Sequence, residues 1–133
     1  TGQRLWELSL AGISTPWVAG EWVFVVDDQA RLLCISRTSG KVRWLTQLQR
    51  YKKQKIKDGR TVKTKEPISW TGPVLAGGRL ILGNSRGALV NVNPETGAVQ
   101  TTVEGGSAFS FAPIVANNTL YTLDDEGRIT AWR

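Results

Sequence analysis

The sequence predicts an all-β fold, and three observations lead to this prediction. A motif with a central proline recurs at 15–20, 72–77 and 112–117. Each copy is followed by the same order of short apolar runs and turn residues, which is typical of strands joined by hairpins. No stretch of the chain has its apolar residues spaced with the periodicity of a helix. We therefore expect every ordered element to be a strand.

The spacing of the motif defines the length of the repeat. Pro16, Pro73 and Pro113 lie 57 and 40 residues apart, and removing the 17-residue segment 50–66 reduces the first spacing to 40. The two apolar runs of each copy are separated by a turn, at 27–30, 84–87 and 124–127. Glycine ends the second and third of these turns, whereas Ala30 ends the first, so we expect the first turn to differ in type.

Four antiparallel strands in about 40 residues are the unit of a β-propeller, whose blades bury their faces against their neighbours. The chain divides into a blade end at 1–8, a blade at 15–48, the insertion at 50–66, a blade at 71–104 and an incomplete last blade at 112–133. About three four-stranded blades are too few to close a ring of the usual size. We therefore expect a propeller fragment that belongs to a larger ring or pairs with copies of itself through open blade edges.

The formal net charge of +6 comes from a single segment. Residues 50–66 hold eight basic and two acidic side chains, which leaves nine of each sign in the rest of the chain. The basic residues form a candidate interaction loop: Arg50, Lys52, Lys53, Lys55, Lys57, Arg60, Lys63 and Lys65.

The basic segment has three open interpretations. Alternating residues on both sides of Asp58-Gly59 predict a solvated hairpin with these two residues at its tip. Contact with a protein or with an anionic membrane surface is the second interpretation, and binding of nucleic acid is the third. Because the rest of the chain is neutral and no cluster of aromatic residues accompanies the segment, we expect no nucleic acid partner. Trp70, which lies just after the segment, is expected at the surface.

The remaining composition argues against catalysis. The chain has no histidine, and its one cysteine, Cys34, excludes an internal disulfide bond and stands in an apolar run where we expect it to be buried. The pairs Asp27-Asp28 and Asp124-Asp125 recur at the same repeat position, which favours a turn role over a cation site. We predict no catalytic, cofactor-binding or metal-binding residue, and no cofactor.

The segments 36–44 and 93–99 resemble the repeat of the quinoprotein propellers, the family named after pyrroloquinoline quinone (PQQ). In that repeat, a run of the type Asp-x-x-Thr-Gly-x-x-x-Trp lets a tryptophan dock between blades. Trp6 and Trp44 match the docking tryptophan, and Gly40 and Gly97 match the glycine, whereas Thr101 replaces the third tryptophan. Within this family, the segments 69–75, 83–87 and 127–133 are similar to the C-terminal blades of the propeller lipoproteins that serve in outer-membrane β-barrel assembly.

The resemblance implies a non-catalytic, protein-binding scaffold with an eight-bladed ring. Its partner would be the periplasmic domains of the barrel-assembly subunit, and its location the periplasm, held at the outer membrane by a lipid anchor outside this chain. It also implies that the last blade is completed by a strand from the beginning of the whole protein, so we expect 112–133 to lack its fourth strand. The alternative within the resemblance is a fragment of a PQQ-dependent quinoprotein dehydrogenase or a PQQ-like sensor domain.

Overall fold

The structure is a computed structural model that describes residues 2–13, 15–104 and 107–133. These residues form strands and no helix, which confirms the all-β prediction. The strands are β1 (Trp17–Ala19), β2 (Trp22–Val26), β3 (Arg31–Ser36), β4 (Val42–Gln47), β5 (Tyr51–Lys55), β6 (Thr61–Pro67), β7 (Trp70–Ala76), β8 (Arg79–Asn84), β9 (Ala88–Val92), β10 (Val99–Glu104), β11 (Ile114–Ala116), β12 (Thr119–Leu123) and β13 (Ile129–Trp132).

The strands pair as antiparallel blades. β1 to β4 form a four-stranded sheet in chain order, and β7 to β10 form a second one with the same order. β11 to β13 form a three-stranded sheet, so the last blade has no fourth strand among the described residues. β5 and β6 pair only with each other and form a separate hairpin between the first two blades in the sequence.

The largest core lies between the first and second blades. Alternate residues of β2 and β3 meet alternate residues of β8 and β9, and the most buried side chains there are Leu32, Cys34, Leu80, Leu82 and Val92. Because successive residues of a strand point to opposite faces, the other members of these strands face away from this core. Each fully buried aliphatic side chain contributes about 1.5 to 3 kcal/mol, so this contact dominates the stability of the fold.

Two smaller clusters cover the opposite faces of these blades. Val25, Leu33 and Ile35 of the first blade are covered by Trp6 and Leu10 from the opening segment. On the far side of the second blade, Ile81 and Leu89 pack against Phe109, Leu120 and Trp132. Because both faces of the first and second blades are buried, their inner strands appear as continuous apolar runs in the sequence.

The turn after the second strand of each blade is built on a buried polar side chain. Oδ1 of Asp27, Asn84 and Asp124 accepts hydrogen bonds from the backbone N–H groups two and four residues later, at 2.9 to 3.0 Å. The two carboxylates also pair with an arginine four residues later, Arg31 at 2.7 Å and Arg128 at 3.1 Å. These bonds confirm the turn role of Asp27 and Asp124.

The first turn keeps the geometry of the others despite Ala30. Ala30 has a φ of 58° and donates its N–H to the Asp27 carbonyl at 3.2 Å, as Gly87 does to the Asn84 carbonyl at 3.1 Å. The expectation of a different turn type is therefore wrong. The hydrogen bonds to buried Asp27 outweigh the roughly 1 to 2 kcal/mol that a left-handed conformation costs an L-residue.

The opening segment 1–8 also differs from the expectation of a blade-end strand. Thr1 lies outside the described residues, and residues 2–8 form no strand. A strand needs a neighbouring strand for its backbone groups, and no described strand pairs with this segment. Trp6 in this segment and Leu10 just after it instead cover one face of the first blade, and the Asp28 N–H donates to the Ala11 carbonyl at 3.1 Å.

Candidate interaction surface

The basic segment folds as the expected hairpin, with Asp58 and Gly59 in its turn. Oδ1 of Asp58 accepts a hydrogen bond from the Arg60 N–H at 3.0 Å, and the Ile56 N–H donates to the Arg60 carbonyl at 2.9 Å. Gly59 has a φ of 88°, a conformation that few other residues adopt without strain.

The base of the hairpin is fixed to the blades. Leu48 and Ile68, which flank it, are buried at 5% and 6% exposure, and the Ile68 N–H donates to the Arg50 carbonyl at 2.8 Å. The Trp70 indole donates to the Gln49 carbonyl at 2.8 Å. Trp70 is half-buried and packs against the core between the first two blades, so its expected surface position is only partly right.

Three lysines share one face of the hairpin. Lys53 stands directly opposite Lys63, and Lys55 stands opposite Thr61 in the same register. Residues two apart in a strand lie on the same side, so Lys53, Lys55 and Lys63 form a group that we call the lysine face. Like charges directly opposite each other destabilise a strand pair, so this face costs the hairpin stability unless an anion lies on it.

Few of these cations are neutralised within the protein. In the segment, Lys52 pairs with Glu66 at 3.7 Å and Arg60 pairs with Asp58 at 2.5 Å. Both pairs are largely exposed, where an ion pair contributes at most about 1 kcal/mol. The other basic side chains of the segment form no ion pair with the described residues: Arg50, Lys53, Lys55, Lys57, Lys63 and Lys65.

An open recess of about 590 Å³ lies where the lysine face meets the end of the first blade. Arg50, Lys53 and Lys63 line it together with Tyr51, and no acidic side chain does so. The Arg50 guanidinium lies 5.1 Å from the centre of the Tyr51 ring, a cation–π contact that orients it. A neighbouring cleft of about 480 Å³ includes Glu104 in its lining and is therefore less positive.

The predicted docking tryptophans make the same contact at successive blades. The Trp6 indole donates to the Arg37 carbonyl at 2.6 Å, and the Trp44 indole donates to the Pro94 carbonyl at 2.9 Å. Arg37 and Pro94 occupy the same position of the repeat. Each indole thus attaches one blade, or the opening segment, to the turn of the next blade.

The glycines of the motif lie directly against these rings. A Cβ on Gly40 would stand 2.8 Å from the Trp6 ring, and one on Gly97 would stand 2.5 Å from the Trp44 ring. Thr46 donates its hydroxyl to the Gly97 carbonyl at 2.5 Å. Thr46 was not predicted as a contact residue, although its position two residues after the docking tryptophan, on the same face of β4, is a signal that could have identified it.

A cleft of about 420 Å³, lined in part by Ile81, Leu89 and Trp132, lies at the contact between the second and third blades. In the first blade, aromatic residues pack at the corresponding contact: Trp22, Phe24 and Trp44. The equivalent positions of the second blade hold Arg79, Ile81 and Thr101. The second contact therefore has fewer aromatic rings from the preceding blade than the first.

The described residues contain no group of three or more His, Cys, Asp or Glu side chains that could hold a metal ion. Cys34 is fully buried, and this burial raises the pKa of its thiol, while Arg43 acts in the opposite direction. No helix in the described part of the chain is long and apolar enough to cross a membrane.

The chain is similar to proteins of outer-membrane assembly. The family model described as outer membrane protein assembly factor BamB matches residues 1–46 and 54–133. The curated BamB of Alkalilimnicola ehrlichii is 27% identical over 133 residues, which cover 99% of this chain and 30% of the relative. The chain thus spans less than a third of the length of that relative.

Two solved structures share the fold at low sequence identity. The computationally designed Ika8 protein superposes with a TM-score of 0.61 at 11% identity, covering 90% of this chain and 32% of that chain. The quinohemoprotein alcohol dehydrogenase from Comamonas testosteroni superposes with a TM-score of 0.56 at 16% identity, covering 93% and 21%. These likenesses concern the fold alone. Because the family model matches nearly the whole sequence, the chain, with its quinoprotein-type propeller repeats, belongs to the family of outer membrane protein assembly factor BamB.

Proposed function

We propose that this chain is part of a non-catalytic, protein-binding scaffold in the machinery that assembles β-barrel proteins in the outer membrane. Membership of the BamB family supports this proposal. The chain spans 30% of the curated relative, so the role concerns the longer protein. We place that protein in the periplasm, attached to the outer membrane by a lipid anchor, with the periplasmic domains of the barrel-assembly subunit as its partner.

The observation that carries the proposal is the free outer edge of β10. β10 pairs with β9 on one side and with no other described strand, and all of its residues are exposed. The backbone groups of such an edge are available to an extended partner segment, which can add a strand to the sheet. Val99 and Val103, at 49% and 45% exposure, provide apolar side-chain contacts for that segment.

The test is calorimetric titration of the chain with the purified periplasmic domains of the barrel-assembly subunit. A charge on an edge strand opposes strand addition, so Val103→Lys should weaken binding at least about tenfold. Val18→Lys is the matched control, because Val18 is 55% exposed on β1, the innermost strand of the first blade. Absence of binding by the wild-type chain, or an equal effect of both variants, contradicts the proposal.

The same free edges also support self-association of this chain. β4 and β13 each pair on one side only, like β10. We propose that copies of the chain associate through these edges at high concentration. Light scattering tests this, and a mass of 14.6 kDa at every concentration would exclude it.

The likeness to an alcohol dehydrogenase does not favour a redox function. A sequence identity of 16% supports a shared fold and nothing about activity. A PQQ-dependent dehydrogenase or PQQ-like sensor domain therefore has no specific observation in its support. Titration of the chain with PQQ and Ca²⁺, followed by the absorbance of the quinone, would reveal such a site.

A further inference from the structure

We propose that the lysine face of the hairpin, Lys53, Lys55 and Lys63, docks on a bilayer surface that contains anionic phospholipid. This inference goes beyond the proposed protein-binding role and does not depend on it. It assigns a ligand class to a strongly charged surface among the described residues.

The hairpin has the geometry of a projecting contact element. β5 and β6 pair with no blade strand, and their residues are exposed apart from Tyr51, Lys52 and Thr64. The buried residues Leu48 and Ile68 hold its base in a fixed position. A ribbon of this kind can lie against a flat surface without any rearrangement of the blades.

The charge of this face is uncompensated in the free protein. Lys53 and Lys63 oppose each other across the strand pair, and neither forms an ion pair with the described residues. Arg50 joins them in the lining of the recess at the hairpin base, which has no acidic lining residue. Phosphodiester groups brought to this surface would remove the mutual repulsion of the lysines, so binding and hairpin stability are coupled.

The residue types favour a lipid surface over an acidic protein segment. Most of the cations are lysines, whose compact and strongly hydrated ammonium groups act as point charges, whereas arginine is the residue suited to fixed, bidentate contacts. Lysine is also depleted in the interiors of protein–protein interfaces. Clusters of four to eight basic residues near a bilayer are typical of binding to anionic lipids.

Protection of the free edges of the hairpin explains only part of this pattern. A lysine on an edge strand does oppose aggregation. Protection of the edges alone does not require Lys53 to stand directly opposite Lys63. The lysine face carries positive charge only, although the repulsion between its lysines lowers the stability of the hairpin. This pattern therefore points to an external anion.

The test is co-sedimentation of the full chain with phosphatidylcholine vesicles that contain or lack phosphatidylglycerol. The hairpin variant is Lys53→Gln, Lys55→Gln and Lys63→Gln. The matched control is Arg37→Gln, Lys41→Gln and Arg79→Gln, which removes three exposed cations from the blades and gives the same net charge of +3 instead of +6. Circular dichroism checks that both variants keep the β fold.

We expect the wild type and the control to bind only the vesicles with phosphatidylglycerol. The hairpin variant should bind these on the order of 100-fold more weakly, and about 1 M salt should abolish binding. Equal binding of the hairpin variant and the control would overturn the proposal, and so would equal binding to neutral vesicles. Binding of the wild type to polyglutamate but not to anionic vesicles would assign the face to an acidic protein segment instead.

Discussion

Replacing Gly97 by alanine is expected to separate the first two blades. Gly97 has a φ of 78°, and an added Cβ would lie 2.5 Å from the Trp44 ring and 2.6 Å from the Thr46 hydroxyl. The backbone at Gly97 belongs to a turn of the second blade, whereas both neighbours belong to β4 of the first. The methyl group can therefore be accommodated only if the two blades move apart or Trp44 leaves its position.

The magnitude follows from three contributions. The left-handed backbone costs alanine about 1 kcal/mol, and overpacking against the Trp44 ring costs about 1 to 3 kcal/mol. Loss of the Trp44 indole bond to the Pro94 carbonyl removes about 1 kcal/mol more. We expect the free energy of unfolding to fall by about 3 to 5 kcal/mol, a large fraction of the roughly 5 to 15 kcal/mol that stabilises a typical domain.

The assay is urea unfolding followed by circular dichroism, with Gly127→Ala as control. Gly127 has a similar φ of 81° and nothing within 4 Å of an added Cβ, so its replacement should cost only about 1 kcal/mol. In a Trp44→Ala background, Gly97→Ala should cost less than in the wild type, because most of the steric conflict is gone. Equal losses for Gly97→Ala and Gly127→Ala in the wild type would refute the reasoning.

Three further changes test other contacts. Trp6→Ala uncovers an apolar face of the first blade, and urea unfolding should show a loss of about 2 to 4 kcal/mol, with increased binding of a hydrophobic dye. Asp27→Asn should lower the free energy of unfolding by less than about 1 kcal/mol, because an asparagine can make the same turn hydrogen bonds, as Asn84 does, and only the ion pair with Arg31 is lost. Asp27→Ala removes the turn hydrogen bonds as well and should cost about 2 to 3 kcal/mol in the same assay. Since burial raises the pKa of Cys34 above its ordinary value of 9.0, the folded thiol stays protonated where the unfolded one ionises. The contribution of Cys34 to stability should therefore decrease as the pH rises above 9.0, and an aromatic disulfide reagent should react far more slowly with the native chain than with the chain in urea.

The blades could be predicted from the sequence because both of their faces are buried. Apolar runs such as 22–26 and 32–35 therefore stand out between turn residues, and the repeat multiplies the signal. The opening segment could not be predicted in the same way. Its sequence resembles the fourth-strand motif of the repeat, which correctly indicates that Trp6 docks on the first blade. A strand also requires a pairing partner, however, and residues 2–8 have none among the described strands.

The candidate surface was predictable in its composition and turn, but not in its faces. Asp58-Gly59 located the tip of the hairpin, and the basic residues could be counted. Which lysines share a face depends on the register, and the irregularity between Tyr51 and Lys53 shifts the register of the residues nearer the hairpin base. Such an irregularity moves side chains relative to their neighbours without any change in composition.

The match to the family model is interrupted at the base of the hairpin. The family model leaves out residues 47–53, which include Arg50, Lys52 and Lys53 at the base and first strand of the hairpin. The docking contacts of Trp6 with Arg37 and of Trp44 with Pro94 lie within the matched parts, at 1–46 and 54–133. The docking contacts are therefore made by positions that the family model covers. It also covers Lys55 and Lys63 of the lysine face, whereas Lys53 lies outside the matched parts.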